Sequence, residues 1–205
     1  MTIPSTFVSL DELIPSLIIH MSYATPENFT GEIVAGYLAR RAYLARQPAL
    51  ALARVQEDAL EEGLCLKIFD SYRPAKAVAF FQLWAKREES NPELKSHYYP
   101  RFSRKDLFEQ GYIAKQSSHS RGAAVDLTLV DLKTGQALDM GSEFDFFDDL
   151  SHTDSLRVTP EQRRNRLKLK ELMEGKGFKN YAHEWWHYSF KPEPFPGQYF
   201  DFDVT

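Results

Sequence analysis

The chain has 205 residues, 43% of them hydrophobic and 14% aromatic, with a net charge of −4; that suffices for one well-buried core and argues against two domains. Acids and bases are intermixed, and basic clusters such as Arg163-Arg164-Asn165-Arg166 recur at the spacing of a solvated helix face, so the concentrated basic surface that nucleic acid requires is missing. The single cysteine, Cys65, excludes an internal disulfide and, within the apolar run Leu64-Cys65-Leu66-Lys67-Ile68-Phe69, reads as a buried structural thiol.

Near the start, Asp11 and Glu12 precede the apolar stretch 13–19, with no basic leader and no small-residue cleavage site. This points to a cytoplasmic protein without a membrane partner. Residues 47–62 are rich in Ala, Leu, Glu and Arg and stop at Gly63, which predicts a helix with a glycine cap. The run 64–69 reads as a buried strand. Asp70-Ser71-Tyr72-Arg73-Pro74 ends it, and Pro74 is expected to open a helix over 75–89, placing Arg73 at a strand-to-helix junction.

Residues 103–110 read as a short capped helix ended by Gly111, and 123–130 as a strand that begins just after His119. Residues 131–136 supply a hairpin turn. Thr159-Pro160-Glu161-Gln162 combines an N-cap, an N1 proline and a capping-box glutamine, so a helix runs to 176 and ends at Gly177. Two aromatic, β-prone stretches follow, 178–182 and 185–190, before a Pro-rich tail. A mixed order of helices and mostly hairpin-connected strands predicts an α+β fold, one domain over residues 1–205, with a mostly antiparallel central sheet flanked by helices.

Two distant segments carry the chemistry: Ser117-Ser118-His119-Ser120-Arg121-Gly122-Ala123-Ala124-Val125-Asp126 and His183-Glu184-Trp185-Trp186-His187. Together they provide imidazoles, a carboxylate and a spare glutamate, the parts of a mononuclear zinc hydrolase, in which three protein ligands leave a position for water and a nearby carboxylate deprotonates it. Two ligand assignments compete. The second segment matches H-E-x-x-H, which would put His183 and His187 on zinc from one helical face, but Tyr181, Trp185, Trp186, Tyr188 and Phe190 are strand-prone. In the other assignment His119, Asp126 and His187 hold zinc and Glu184 is the base, with Gly122 allowing a tight bend and Ala123 and Ala124 leaving room for metal and substrate.

The pattern S-x-H-x-x-G-x-A-x-D followed by E-x-x-H resembles the signature of the zinc D-alanyl-D-alanine peptidases with the hedgehog/DD-peptidase fold. Further segments resemble the D-alanyl-D-alanine dipeptidases of the vancomycin-resistance type: Tyr23-Ala24-Thr25 with Asn28-Phe29-Thr30-Gly31, Asp70 to Pro74, Met140-Gly141-Ser142 with Phe144-Asp145-Phe146, and Tyr199-Phe200-Asp201-Phe202. The resemblance therefore spans nearly the whole chain. It implies one zinc per chain on His119, Asp126 and His187, Glu184 as catalytic base, Arg73 stabilising the intermediate, and hydrolysis of the dipeptide D-alanyl-D-alanine. It also implies that Tyr23 and Asp145 hold the substrate ammonium group and that Ser117 lies beside the site.

Each residue also has a structural explanation: His119 in a polar turn, Asp126 capping a strand end, His187 satisfied within an aromatic core, Arg73 as a partner of Asp70. All of them would have to hold at once while reproducing one family's spacing. His183 is expected at the surface or behind the ligands, Trp185 and Trp186 in core and pocket wall, and His20, His97 and His152 in structural roles. Asp148 and Asp149 read as a solvated loop. The aromatics near Tyr199 are a candidate contact for a homodimer. Two other readings share the motif: a zinc D,D- or L,D-carboxypeptidase acting on peptidoglycan stem peptides, and a non-catalytic zinc-binding module of hedgehog type.

Overall fold

The structure is a computed structural model and describes residues 2–205. Strand β1 (Phe7–Ser9), helix α1 (Leu10–Leu13) and strand β2 (Ile18–Ile19) lead to β3 (Tyr43–Ala45), α2 (Arg46–Glu61), β4 (Leu64–Asp70) and α3 (Ala75–Trp84). Two short helices, α4 (Pro92–Tyr98) and α5 (Arg104–Glu109), precede β5 (Ala124–Asp131), α6 (Pro160–Glu174), β6 (Phe178–Tyr181) and β7 (Glu184–Phe190).

The main sheet has the order β2-β4-β5-β7-β6. The β2–β4 pairing is parallel and the other three are antiparallel, so the sheet is mixed with an antiparallel majority, in an α+β arrangement. Strands β1 and β3 form a separate antiparallel pair. No helix among the described residues is long and apolar enough to cross a membrane.

Local chemistry explains most boundaries. Gly63, at φ 73°, follows α2 in the left-handed conformation that glycine adopts freely. Helices α5 and α6 both start with complete capping boxes, Ser103 with Asp106 and Thr159 with Gln162. Pro74 is the N-cap of α3 rather than its first helical residue, and α3 ends at Trp84 instead of 89. The chain restarts as α4 because Asn91 caps the amide of Leu94 and Pro92 occupies the first turn.

Helix α2 buries Ala49, Ala51, Leu52, Val55 and Ala59, and these pack in one core with Leu66, Ile68, Leu127 and Leu129 of β4 and β5. Leu66 pairs with Leu129 and Ile68 with Leu127 across the two strands. Side chains alternate along β5, so Asp126 and Thr128 face the opposite side of the sheet from Leu127 and Leu129. Cys65 is buried, as its apolar run predicts.

Two charged residues depart from the sequence expectation. Arg166 is not part of a solvated helix face: it is fully buried and donates to the carbonyls of Met140, His152 and Leu150 at 2.6, 2.7 and 2.9 Å. It thereby holds the loop 140–152 to α6. Asp148 is likewise buried, accepting from the Leu150 amide and pairing with Arg101 and Arg157 at 2.5 Å each. Burying such charges is tolerable because each has several hydrogen-bond partners.

Candidate active site

A short 3-10 turn, His119–Arg121, delivers the first imidazole, and Gly122 closes it at φ 67°. A Cβ at Gly122 would lie 2.4 Å from Cε1 of Phe7, so glycine is required there on both conformational and steric grounds. Ala123, just before β5, and Ala124, its first residue, are buried and do not line the cavity, contrary to the expectation that they make room for metal and substrate. Asp126 on β5 is the cross-strand partner of His187 on β7. Segment 184–190 is a strand, which removes the H-E-x-x-H helix reading.

The donor atoms converge. Nε2 of His119 is 3.2 Å from Nδ1 of His187 and 3.2 Å from Oδ2 of Asp126, and Nδ1 of His187 is 3.0 Å from Oδ1 of Asp126. A tetrahedral ion with bonds of about 2.0 Å separates its ligands by about 3.3 Å; the two imidazole nitrogens stand at that spacing, each has one Asp126 oxygen beside it, and one atom from each residue lies within 4.8 Å of the others, so the two nitrogens and the carboxylate can hold one metal ion. Nδ1–H of His119 donates to the Ser71 carbonyl at 2.6 Å, which leaves its Nε2 lone pair directed at the other two donors. Burial acts to raise the Asp126 carboxyl, but His119 and His187 overcome it and hold the group well below the usual carboxylate range.

Glu184 begins β7 with its carboxylate 3.8 Å from Nδ1 of His187. Burial, reinforced by the Asp126 charge, pushes its carboxyl up to about 8. The side-chain amide of Asn180 donates to the carbonyls of both Glu184 and His187 at 3.1 Å, fixing the segment between them.

Arg73 lines the same cavity beside Asp126. Its Nε donates to Oδ2 of Asp70 at 2.8 Å and its Nη2 to Oδ2 of Asp126 at 3.3 Å, and its guanidinium stacks 5.1 Å from the Tyr23 ring centre and 5.3 Å from that of Phe81. Fully buried Asp70 accepts a second bond from the Tyr37 hydroxyl at 2.7 Å. Burial would lower the Arg73 pKa, but Asp70, Tyr23, Tyr37 and Asp126 hold it well above the ordinary value, so the guanidinium stays charged. The structural and functional explanations of Arg73 thus coexist.

Asp145, at φ 60°, is one of two non-glycine residues with a left-handed backbone among the described residues. It is buried, accepts from Tyr23, and burial raises its carboxyl well above the usual range. Tyr23, Arg73, Ser117, His119, Asp126, Asp145, Glu184 and His187 all line one cavity of about 210 Å³, with Tyr112, Tyr181 and Trp186 among its walls. That volume is below the roughly 300–1,000 Å³ of sites for drug-sized ligands. It suits a very small substrate.

Outside this cluster, His183 is exposed and stacks on His152 with ring centres 4.6 Å apart, and neither they nor His20 and His97 approach the three donors. Tyr199 engages Arg121 and Gln116 of its own chain through its hydroxyl. Sequence reasoning paired Arg73 with Asp70 as a structural explanation, from their place in one five-residue motif, and missed Tyr37, Asn180 and Ser189, which carry no signal of their own.

The sequence profile of the D-ala-D-ala dipeptidase family, peptidase family M15, matches residues 4–205. A D-alanyl-D-alanine dipeptidase of Enterococcus faecium is 42% identical over 198 residues, covering 97% of this chain and 98% of its own. One from Streptomyces coelicolor is 43% identical over 199 residues with the same coverage, 97% and 98%. One from Escherichia coli is 36% identical over 181 residues, 88% of this chain and 82% of its own.

Proposed function

The chain belongs to the D-ala-D-ala dipeptidase family of metal-dependent peptidases, and from that membership we propose that it hydrolyses D-alanyl-D-alanine to two molecules of D-alanine with one zinc ion on His119, Asp126 and His187. The observation that carries this reading is the small cavity in which three metal donors, a buried glutamate, a buried guanidinium and a buried acid face one another. We read residues 1–205 as one such domain.

A zinc ion held by these donors supplies Lewis acidity toward a carbonyl and acidifies water. The remaining work falls to the chain. Glu184 takes the proton of the attacking water and passes it to the leaving amine, a role matched by a carboxyl whose burial raises it toward neutral pH. Arg73, fixed by Asp70, donates to the developing oxyanion. Asp145, with Tyr23 bonded to it, accepts from the substrate ammonium group, and Ser117 borders the bound dipeptide.

Such an enzyme acts in the cytoplasm, where free D-alanyl-D-alanine precedes its use in wall precursors, either to withhold it in glycopeptide resistance or to recover D-alanine. The small cavity favours a dipeptide over a peptidoglycan stem. D-alanine release from D-alanyl-D-alanine by the purified protein, before and after chelation and with zinc restored, tests the reading, with L-alanyl-L-alanine alongside. Chelator-sensitive, stereoselective release is expected. Release only from stem peptides would replace it with a carboxypeptidase, and no hydrolysis by zinc-loaded protein with a binding module; sedimentation of the same sample reads out a homodimer.

A further inference from the structure

His187 stands between two clefts. Its Nδ1 faces His119 and Asp126 in the catalytic cavity, while Nε2 lies 3.2 Å from Oγ of Ser189, which in turn lies 3.0 Å from Oγ of Ser118. Ser118, Ser189 and His187 also line a second cleft of about 300 Å³, together with Asn180 and Tyr181. The two serines link the turn that carries His119 directly to the strand that carries His187.

An imidazole offers Nδ1 to a metal only in the tautomer that bears its proton on Nε2. His119 has its tautomer set by a backbone carbonyl, an acceptor that works in one direction only. A serine hydroxyl works in both. With the chain of protons running His187 Nε2–H to Ser189 and Ser189 O–H to Ser118, Nδ1 carries a lone pair. With the chain reversed, Ser189 donates to Nε2, and Nδ1 carries the proton and donates to Oδ1 of Asp126 at 3.0 Å.

We propose that Ser189, oriented by Ser118, is a positioning residue that stabilises the metal-binding tautomer of His187, the hydroxyl pair reversing its proton direction between metal-free and metal-loaded protein. The protons balance: the Nδ1–H bond breaks and its proton goes to solvent, Nε2 takes the proton of Ser189, Ser189 takes that of Ser118 and Ser118 takes one from solvent, so the imidazole and both hydroxyls stay neutral. The inference rests on the reading of His187 as a ligand. It deepens that reading by naming what prepares the ligand.

The test is zinc affinity of the full chain, measured by competition with a chelator, for the parent, Ser189→Ala, Ser189→Thr, Ser118→Ala and His187→Ala. Loss of an outer hydrogen-bond partner typically weakens metal binding roughly 10- to 100-fold, and that loss is expected for Ser189→Ala, with recovery in Ser189→Thr and a smaller loss for Ser118→Ala. The Nε2 proton of His187 in zinc-loaded parent should also exchange slowly in NMR spectra and rapidly in Ser189→Ala, while circular dichroism of the metal-free proteins stays alike. Parent-like zinc affinity in Ser189→Ala, with His187→Ala having lost zinc, overturns the inference alone, and so does a Ser189→Thr protein as weak as Ser189→Ala. Tight zinc in His187→Ala overturns the ligand reading beneath it.

Discussion

The Tyr23 hydroxyl donates to Oδ2 of Asp145 over 2.8 Å, joining residues 122 positions apart inside the cavity. The bond orients one carboxylate oxygen of an acid held in a left-handed backbone. Asp145→Asn keeps the acceptor for Tyr23 but removes the charge proposed to meet the substrate ammonium group. A hydrogen bond to a charged group contributes about 1.5–3 kcal/mol, so kcat/KM for D-alanyl-D-alanine should fall roughly 10- to 100-fold, since a 1.4 kcal/mol change is about tenfold. Tyr23→Phe should cost several-fold only. Zinc affinity measured in parallel should hardly move in either variant; an equal loss of both would make Asp145 a structural acid.

The pH dependence of this group has a definite sign. Burial raises the Asp145 carboxyl well above its ordinary value, so below its folded pKa the free site holds it protonated and an ammonium group binds poorly. 1/KM should therefore rise with pH until Asp145 ionises, and Asp145→Asn should lack that limb. The same raised pKa means that the group favours folding most fully below its unfolded value of about 3.9 and that this contribution is lost as pH rises through the folded value. Metal-free Asp145→Asn should accordingly melt above the parent at pH 8, the gap closing toward pH 4, as calorimetry can record.

Arg73 meets Asp70, Asp126 and two aromatic faces at once. A lysine ammonium cannot reproduce a planar fork stacked between rings. Arg73→Lys should lose on the order of 100- to 1,000-fold in kcat with a smaller change in KM, the pattern of a lost oxyanion donor. Tyr37→Phe, which removes one of the two bonds on Asp70, should give a weaker version of the same effect. Steady-state kinetics on the three proteins decide it, and a loss confined to KM would assign Arg73 to substrate binding instead.

The residues that sequence could reveal are those whose chemistry is unusual at their spacing. His119, Asp126, Glu184 and His187 stand out because few folds need that combination, and the β-prone residues around Trp185 and Trp186 correctly exclude a helix there. Capping boxes made α5 and α6 legible for the same reason, since Ser103 and Thr159 act on their own next turn. Arg166 and Asp148 were illegible because their partners come from other segments: a charged residue on a helix reads as solvated until the carbonyls of 140, 150 and 152 close over it. Ser189, Asn180 and Tyr37 are ordinary residue types, and their bonds to Ser118, to the His187 carbonyl and to Asp70 exist only once the fold brings those atoms together.

Metal removal should act on stability as well as turnover. A ligand that binds only the folded state at 100 times its Kd adds about 2.7 kcal/mol, and in a domain of this size each kcal/mol moves Tm by about 2–4 °C. Zinc added to chelated protein should thus raise Tm by about 5–10 °C while restoring hydrolysis. His187→Ala, which lacks one of the three donors, should show neither response. A shift of the same size in His187→Ala would place the ion elsewhere.

Arg166 gives the prediction most independent of the metal. Its guanidinium is fully buried and its three recorded bonds all go to carbonyls of the loop 140–152, which also carries Asp145. Burial lowers its pKa to about 10, so it remains charged at neutral pH. Arg166→Met matches much of the volume but leaves those carbonyls without a donor, and each buried group left unsatisfied costs about 1–3 kcal/mol. Urea unfolding should therefore show a loss of at least about 3 kcal/mol. Because the clamp acts on the loop rather than on the three metal donors, the folded variant should keep parent-like zinc affinity while KM for the dipeptide rises. An unchanged KM would mean that Asp145 is held in place by Tyr23 and its own neighbours, without help from α6.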